Sequence, residues 1–136
     1  MKLLLLYADR FAYSPGQKSL ESAPDTVEPA EYRGAVVAFT HVEEQDRDQE
    51  SKVVTKLIKN IKWLAGKFNT RDVVLHSFSH LSESKADPEF AARIFDQARE
   101  RLEAVGYQVG ITPFGYVLNL EMALPGVSLA RVFKSF

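Results

Sequence analysis

The chain has 136 residues, 46% of them hydrophobic, and a formal net charge of −1 at pH 7. That is enough for one compact domain with a real core, and the mixed charges leave no basic field to coat a nucleic-acid duplex, although contact with a few nucleotides at an RNA end stays open. The absence of cysteine excludes disulfides, thiolate catalysis and zinc–sulfur sites, and the four leucines of "MKLLLLYADR" are too short a run for a signal peptide or a membrane span, so a soluble, cytoplasmic protein is expected.

Leu3–Tyr7 is an unbroken apolar run, which predicts a strand buried on both faces. From Ala12 to Gly34 the prolines Pro15, Pro24 and Pro29, with two glycines, predict a long loop. Ala35–Val42 is rich in β-formers and reads as a second strand. The acidic "EEQDRDQE" leads into a helix over Gln49–Phe68, where Val54, Leu57, Ile58, Ile61, Leu64, Ala65 and Phe68 form one stripe. Acids at a helix start suit its dipole and read as a solvated end. Val73–Phe78 is a third strand. Asp87-Pro88 opens a second helix, a capping side chain followed by proline, and Phe90, Ile94, Ala98, Leu102 and Val105 hold one face until Gly106 ends it.

Tyr107–Ile111 and Tyr116–Leu124 read as strands joined by Thr112–Gly115, whose proline and glycine suit a type I turn. Leu118, Leu120, Met122 and Leu124 alternate on one face of the second of these, which predicts a substantially buried Leu118. Pro125-Gly126 breaks the chain. Ser128 then caps a predicted last helix with Leu129, Val132, Phe133 and Phe136 at i, i+3, i+4 and i+7. The order is β-β-α-β-α-β-β-α, a single α/β domain over residues 1–136 without repeats.

The common catalytic motifs GxSxG, a glycine-rich phosphate loop and HExxH are absent. His76 and His80 have the spacing of a helical metal pair, but on a strand they stand about 13 Å apart, so neither a metal nor a cofactor is expected. His41 and His76, inside strands, read as packed residues with one satisfied nitrogen. His80 follows the third strand in a loop leading to a helix N-terminus, where α/β proteins collect ligand-binding groups. The serines of "HSFSHLSES" have no partner base legible from spacing, and solvated loop hydroxyls are the plainer reading.

Taken together, "SFSHLSESKADP", the helix after it, "GYQVG", "PFGY" and the terminal "SLAR" resemble the archaeal-type editing domain of threonyl-tRNA synthetase, a family related in fold to the D-aminoacyl-tRNA deacylases. The likeness runs nearly the whole chain and includes "LLLLYADRFAY" and "VAFTHVE". Of the family's PFAHLSxxLAxP motif, Phe78, His80, Leu81, Ser82 and Pro88 are kept. Ser77 and Ser79 replace its proline and alanine, and one residue near Lys85 differs. The resemblance implies a D-aminoacyl-tRNA deacylase-like fold and hydrolysis of serine wrongly esterified to threonine tRNA. It further implies a small pocket for the terminal adenosine and its amino acid, worked by backbone amides, a positioned water and the tRNA's own ribose hydroxyl. By the same resemblance His80 and Ser79 line that pocket, and Tyr116 with its neighbours Phe114, Gly115 and Val117 shapes the floor. A homodimer is also implied, and the apolar stripe of the last predicted helix needs either a partner surface or, in a compact monomer, a place folded back on the chain's own sheet.

Two departures stand out. After PFG the family continues to a lysine that contributes to catalysis, and here Leu118 occupies that slot. Where the family has KGHPLAE, with a glutamate recognising the substrate amine, residues 125–131 read PGVSLAR, so Arg131 replaces the glutamate. Losing a donor from a preorganised site typically costs about 10²–10³ in rate. Arg131 would also repel a substrate ammonium and favour an anion. No catalytic residue is assigned. Three readings follow: an aminoacyl-tRNA deacylase of altered or weak activity, a non-catalytic module binding a small anionic or nucleotide-like ligand, and a domain whose pocket has been filled. A last helix ending at Phe136 is what a stand-alone chain would show.

Overall fold

A computed structural model describes residues 1–136, and its organising element is β1 (Lys2–Lys18), a 17-residue strand. β2 (Ala30–His41) runs antiparallel beside it, from Lys2↔His41 to Tyr13↔Ala30. β3 (Asp72–Ser77) and then β4 (Gln108–Ile111) extend the sheet in parallel from β2. On its other edge β1 pairs with two strands end to end. β6 (Arg131–Ser135) lies along its first residues and β5 (Tyr116–Ala123) along Arg10–Lys18, both antiparallel. The sheet order is β4-β3-β2-β1-β5, with β6 also on β1.

A 3₁₀ turn over Glu44–Gln49 leads into α1 (Glu50–Lys67), and α2 (Pro88–Glu103) follows β3. α1 starts after Gln49 without a side-chain cap, and the acidic run before it is not wholly a solvated end: Asp46 is buried and its Oδ1 accepts from the amino terminus at 2.9 Å. α2 starts and stops as its sequence requires. The Asp87 side chain accepts a hydrogen bond from the Phe90 N–H at 2.9 Å, and Gly106 takes φ +94° just past the end of α2. Their apolar stripes pack with Leu3, Leu5, Val36, Ala38, Val73 and Leu75 into a core of 21 buried residues on one sheet face. The opposite face carries a second cluster of seven around Phe11, Phe39 and Val74. The alternation of the leucine run explains this split: Leu3 and Leu5 face the helices, and Leu4 and Leu6 face away.

The segment from Ala12 to Gly34 is not one loop. β1 continues to Lys18 and β2 begins at Ala30, so only residues 19–29 connect them. The polar stretch is drawn into the sheet because β5 runs beside it, with an irregularity between Pro15 and Lys18 that takes up the proline. The predicted C-terminal helix is β6. Its register from Lys2↔Ser135 to Leu6↔Arg131 fills the free edge of β1, and a strand's period puts Val132 and Phe136 on the core while Phe133 faces out. The order therefore ends in a strand. β4 and β5 do not pair, because Thr112–Gly115 carries the chain to the far side of the sheet. β5 is a rim strand, so its expected inward face is only partly covered: Leu118 and Leu120 are half-buried and Met122 is 42% exposed.

Candidate functional site

A cavity of about 420 Å³ opens where the end of β3, the loop into α2 and the start of β5 meet. That volume suits a small ligand. His80, Ser79, Phe114, Gly115, Tyr116, Val117 and Leu118 all line it. Arg131 does not. It stands opposite Leu6 at the head of β6, and its Nη1 donates to the carbonyls of Pro125 (2.9 Å) and Val127 (3.1 Å), tying its own turn. The wall also includes residues that sequence reasoning missed as site groups: His76, Lys85, and the pair Ser19 and Leu20.

His76 is 6% exposed, and its Nδ1 lies 2.9 Å from the buried Thr112 hydroxyl. Burial pushes its pKa down to about 4, so the ring is neutral near pH 7. Aromatic edges connect it to the mouth. Phe39 meets His76 at 4.6 Å and Phe78 at 5.0 Å, and Phe78 meets the exposed His80 at 4.9 Å.

The loop between His80 and Lys85 is held from the end of β2. His41 is fully buried, and its Nδ1 accepts the Leu81 N–H at 2.9 Å. The proton must then sit on Nε2, which donates to the Ser84 carbonyl at 2.7 Å. Both nitrogens are satisfied, rather than the one expected. Next to it the Ser82 hydroxyl donates to Glu43 at 2.7 Å, and the Ala86 N–H donates to the Val42 carbonyl at 3.0 Å. Burial raises the Glu43 pKa, but hydrogen bonds from the amino terminus and Ser82, with the charges of the terminus and Lys2, outweigh it and hold the carboxyl near 2. No single sequence motif encodes this clamp; the signal was a histidine and a glutamate closing a buried strand.

The other wall is fastened to residues 19–25. The Gly115 carbonyl accepts the N–H groups of Ser19 (2.7 Å) and Leu20 (3.3 Å), and the Tyr116 hydroxyl donates to the Pro24 carbonyl. Glycine is required at 115. Its φ is +87°, and a Cβ there would lie 2.5 Å from the Ala23 Cβ. Phe114 packs edge-on against Phe95 of α2 at 5.2 Å.

Among the lining side chains Lys85 alone carries a formal charge, and no carboxylate is present. His76 and His80 reach the same space, yet no third donor joins them in a group able to hold a metal. Ser77 and Ser79 hydrogen-bond to neither imidazole, so the wall shows no assembled nucleophile and base. Its chemistry is that of an apolar slot with neutral polar groups, exposed backbone and a single cation.

This chain resembles known proteins throughout its length. A threonine–tRNA ligase of Pyrococcus horikoshii is 30% identical over 139 residues, covering 99% of this chain and 22% of the relative. The threonine–tRNA ligase of Methanoregula boonei is 28% identical over 135 residues, with the same coverage of 99% and 22%. The chain thus spans about a fifth of the length of these curated relatives. Among solved structures, the c-Myc DNA unwinding element binding protein superposes with a TM-score of 0.68 at 11% identity, covering 100% of this chain and 99% of that one. Such a likeness bears on fold alone, and it agrees with the D-aminoacyl-tRNA deacylase-like α/β fold that the resemblance implied. No helix is long and apolar enough to cross a membrane. Residues 1–136 match the family described as the archaea-specific editing domain of threonyl-tRNA synthetase, and the chain belongs to that family.

Proposed function

We propose that the cavity receives the aminoacylated 3′ end of a tRNA and that the chain hydrolyses its ester weakly, or with a preference other than seryl-tRNA for threonine. One observation carries this reading: an open cavity built from the residues of the editing-type motifs, in a chain of that family. A filled-in pocket would leave no such space. Phe114, Pro113 and Leu118 offer apolar surface to a nucleoside, and the neutral His76 and the Ser79 hydroxyl offer hydrogen bonds. In the reaction water attacks the ester carbonyl, the bond to the ribose oxygen breaks, that oxygen takes up a proton, and the free amino acid leaves. The developing negative charge needs donors, and here no lysine stands on β5 to supply one.

A deacylation panel over charged tRNAs tests the reading. Seryl-tRNA for threonine is expected to be a slow substrate, and Leu118→Lys is expected to speed it at least about tenfold. Leu118 is half-buried on the cavity wall, so the lysine stem can pack while its ammonium reaches in; circular dichroism checks that the variant folds. Arg131→Glu, whose parent side chain lies outside the cavity of its own chain, is expected to add little. Rapid hydrolysis of seryl-tRNA by the parent would end the weak-activity reading. Binding without turnover across the whole panel would instead make this a non-catalytic module, a role favoured by the absence of a lysine on β5.

The same reading includes a homodimer and a cytoplasmic setting, where charged tRNA is found. The helical stripe expected to drive dimerisation does not exist, since Val132 and Phe136 serve the chain's own core. The dimer rests instead on the rim strands β5 and β6, which expose Met122 (42%) and Phe133 (53%) on the same sheet face.

A further inference from the structure

We propose that Lys85 is the anion contact of the cavity, holding the phosphate on the 5′ side of the terminal adenosine at its mouth. This rests on reading the cavity as a site for a tRNA 3′ end. Lys85 is the one formal charge on the wall, it is exposed, and it belongs to none of the molecule's ion pairs. The acid nearest it toward α2, Asp87, is already paired with Arg47. Its position is built rather than incidental. The residue before it is held through the Ser84 carbonyl by the buried His41 at 2.7 Å, and the residue after it through the Ala86 N–H by Val42 at 3.0 Å. With its backbone fixed on both sides, the lysine has only its own flexible stem left to order when its ammonium meets a phosphate oxygen, for which a compact point charge is well suited.

The charge also orients the ligand. The amino group of an aminoacyl ester is a cation and is repelled by Lys85, whereas the terminal phosphate lies one ribose away from the ester. The 5′ side of the adenosine therefore faces the β3–α2 loop, and the ester faces the Leu118 and Tyr116 wall. Arg131, the guanidinium that the sequence offers for an anion, is committed to the carbonyls of its own turn.

Equilibrium binding of adenosine and adenosine 5′-monophosphate to the full chain tests this. The parent is expected to prefer the monophosphate about fivefold at low salt, with the preference shrinking as salt is added. Lys85→Met should abolish the preference and leave adenosine affinity unchanged, and Lys85→Arg should restore part of it. Equal affinity of the parent for the two probes, or a preference that survives in Lys85→Met, overturns the proposal. A second arm compares 3′-aspartylamino- with 3′-asparaginylamino-3′-deoxyadenosine. A preference for the aspartyl form that depends on Lys85 would assign the lysine to a side-chain carboxylate and overturn the phosphate contact. Failure of the parent to bind any of these probes would instead remove the tRNA-end reading of the cavity, and Lys85's role with it.

Discussion

His76 ties folding to pH because burial keeps its ring neutral. With a folded pKa near 4 against an ordinary 6.5, the unfolded chain takes up a proton as the pH falls through 6.5 while the fold does not. Stability is therefore complete above pH 6.5 and is lost on the way down to about 4, by about 3 kcal/mol from this group. Denaturant melts of the parent and of His76→Gln, which can still bond to Thr112 but cannot titrate, should diverge across that window. Parallel pH profiles would show that His76 is not the group responsible. Below that window the loss continues, since Glu43 is ionised in the fold down to about 2 and must be protonated in the unfolded chain first. On the facing wall, Gly115→Ala should cost more than about 1 kcal/mol, since it adds both a positive-φ strain and the clash with Ala23. A melt matching the parent's would show that residues 19–25 do not rest on this glycine. His80 was legible from its place after a strand. His76 was not, because a histidine in the run "VVLHSF" looks like core until the turn bearing Thr112 is known to fold across it.

The elements most faithful to their sequence are α1 and α2, whose stripes are local signals, as is the Asp87 cap of α2. β6 is the contrary case. Residues 129–136 satisfy a helical spacing and, through Ala130, Val132 and Phe136, an alternating one interrupted only at Lys134, and a window this short does not separate the two periods. What decides is distant: the first residues of β1 have a free edge, and a strand can pair with it where a helix cannot. A helix would put Val132 and Phe133 on one stripe, whereas a strand puts them on opposite faces. In dilute protein Val132→Ala should therefore cost about 1 kcal/mol and Phe133→Ala less than about 0.5 kcal/mol. Equal costs would restore the helix. The extension of β1 to Lys18 was hidden for the same reason, since Pro15 and Gly16 argue locally for a turn and only β5 makes them strand.

At the scale of the whole molecule, the α/β class and the helices and strands up to β5 could be read along the chain, but not the full length of β1, the 3₁₀ turn before α1, or which strands lie side by side. The cavity shows the same limit, for its walls come from residues 19–20, 76–91 and 113–120 and only pairing brings these together. The proposed homodimer belongs at this scale. Light scattering should give a two-chain mass, and the pair Met122→Ser with Phe133→Ser should reduce it to one chain without changing the circular dichroism. A single-chain mass for the parent over a wide concentration range would remove the dimer. The end-to-end placement of β5 and β6 on β1 also bears on how the chain is made. β1 leaves the ribosome long before either strand exists, and Lys2 must wait for Ser135. Throughout synthesis its leucine-rich outer edge has no neighbour of its own, and closing it late over so long a separation makes folding slow for a chain of this size. Chains stopped before residue 131 keep that edge open to one another, and they are expected to gather into insoluble material rather than simply to melt earlier.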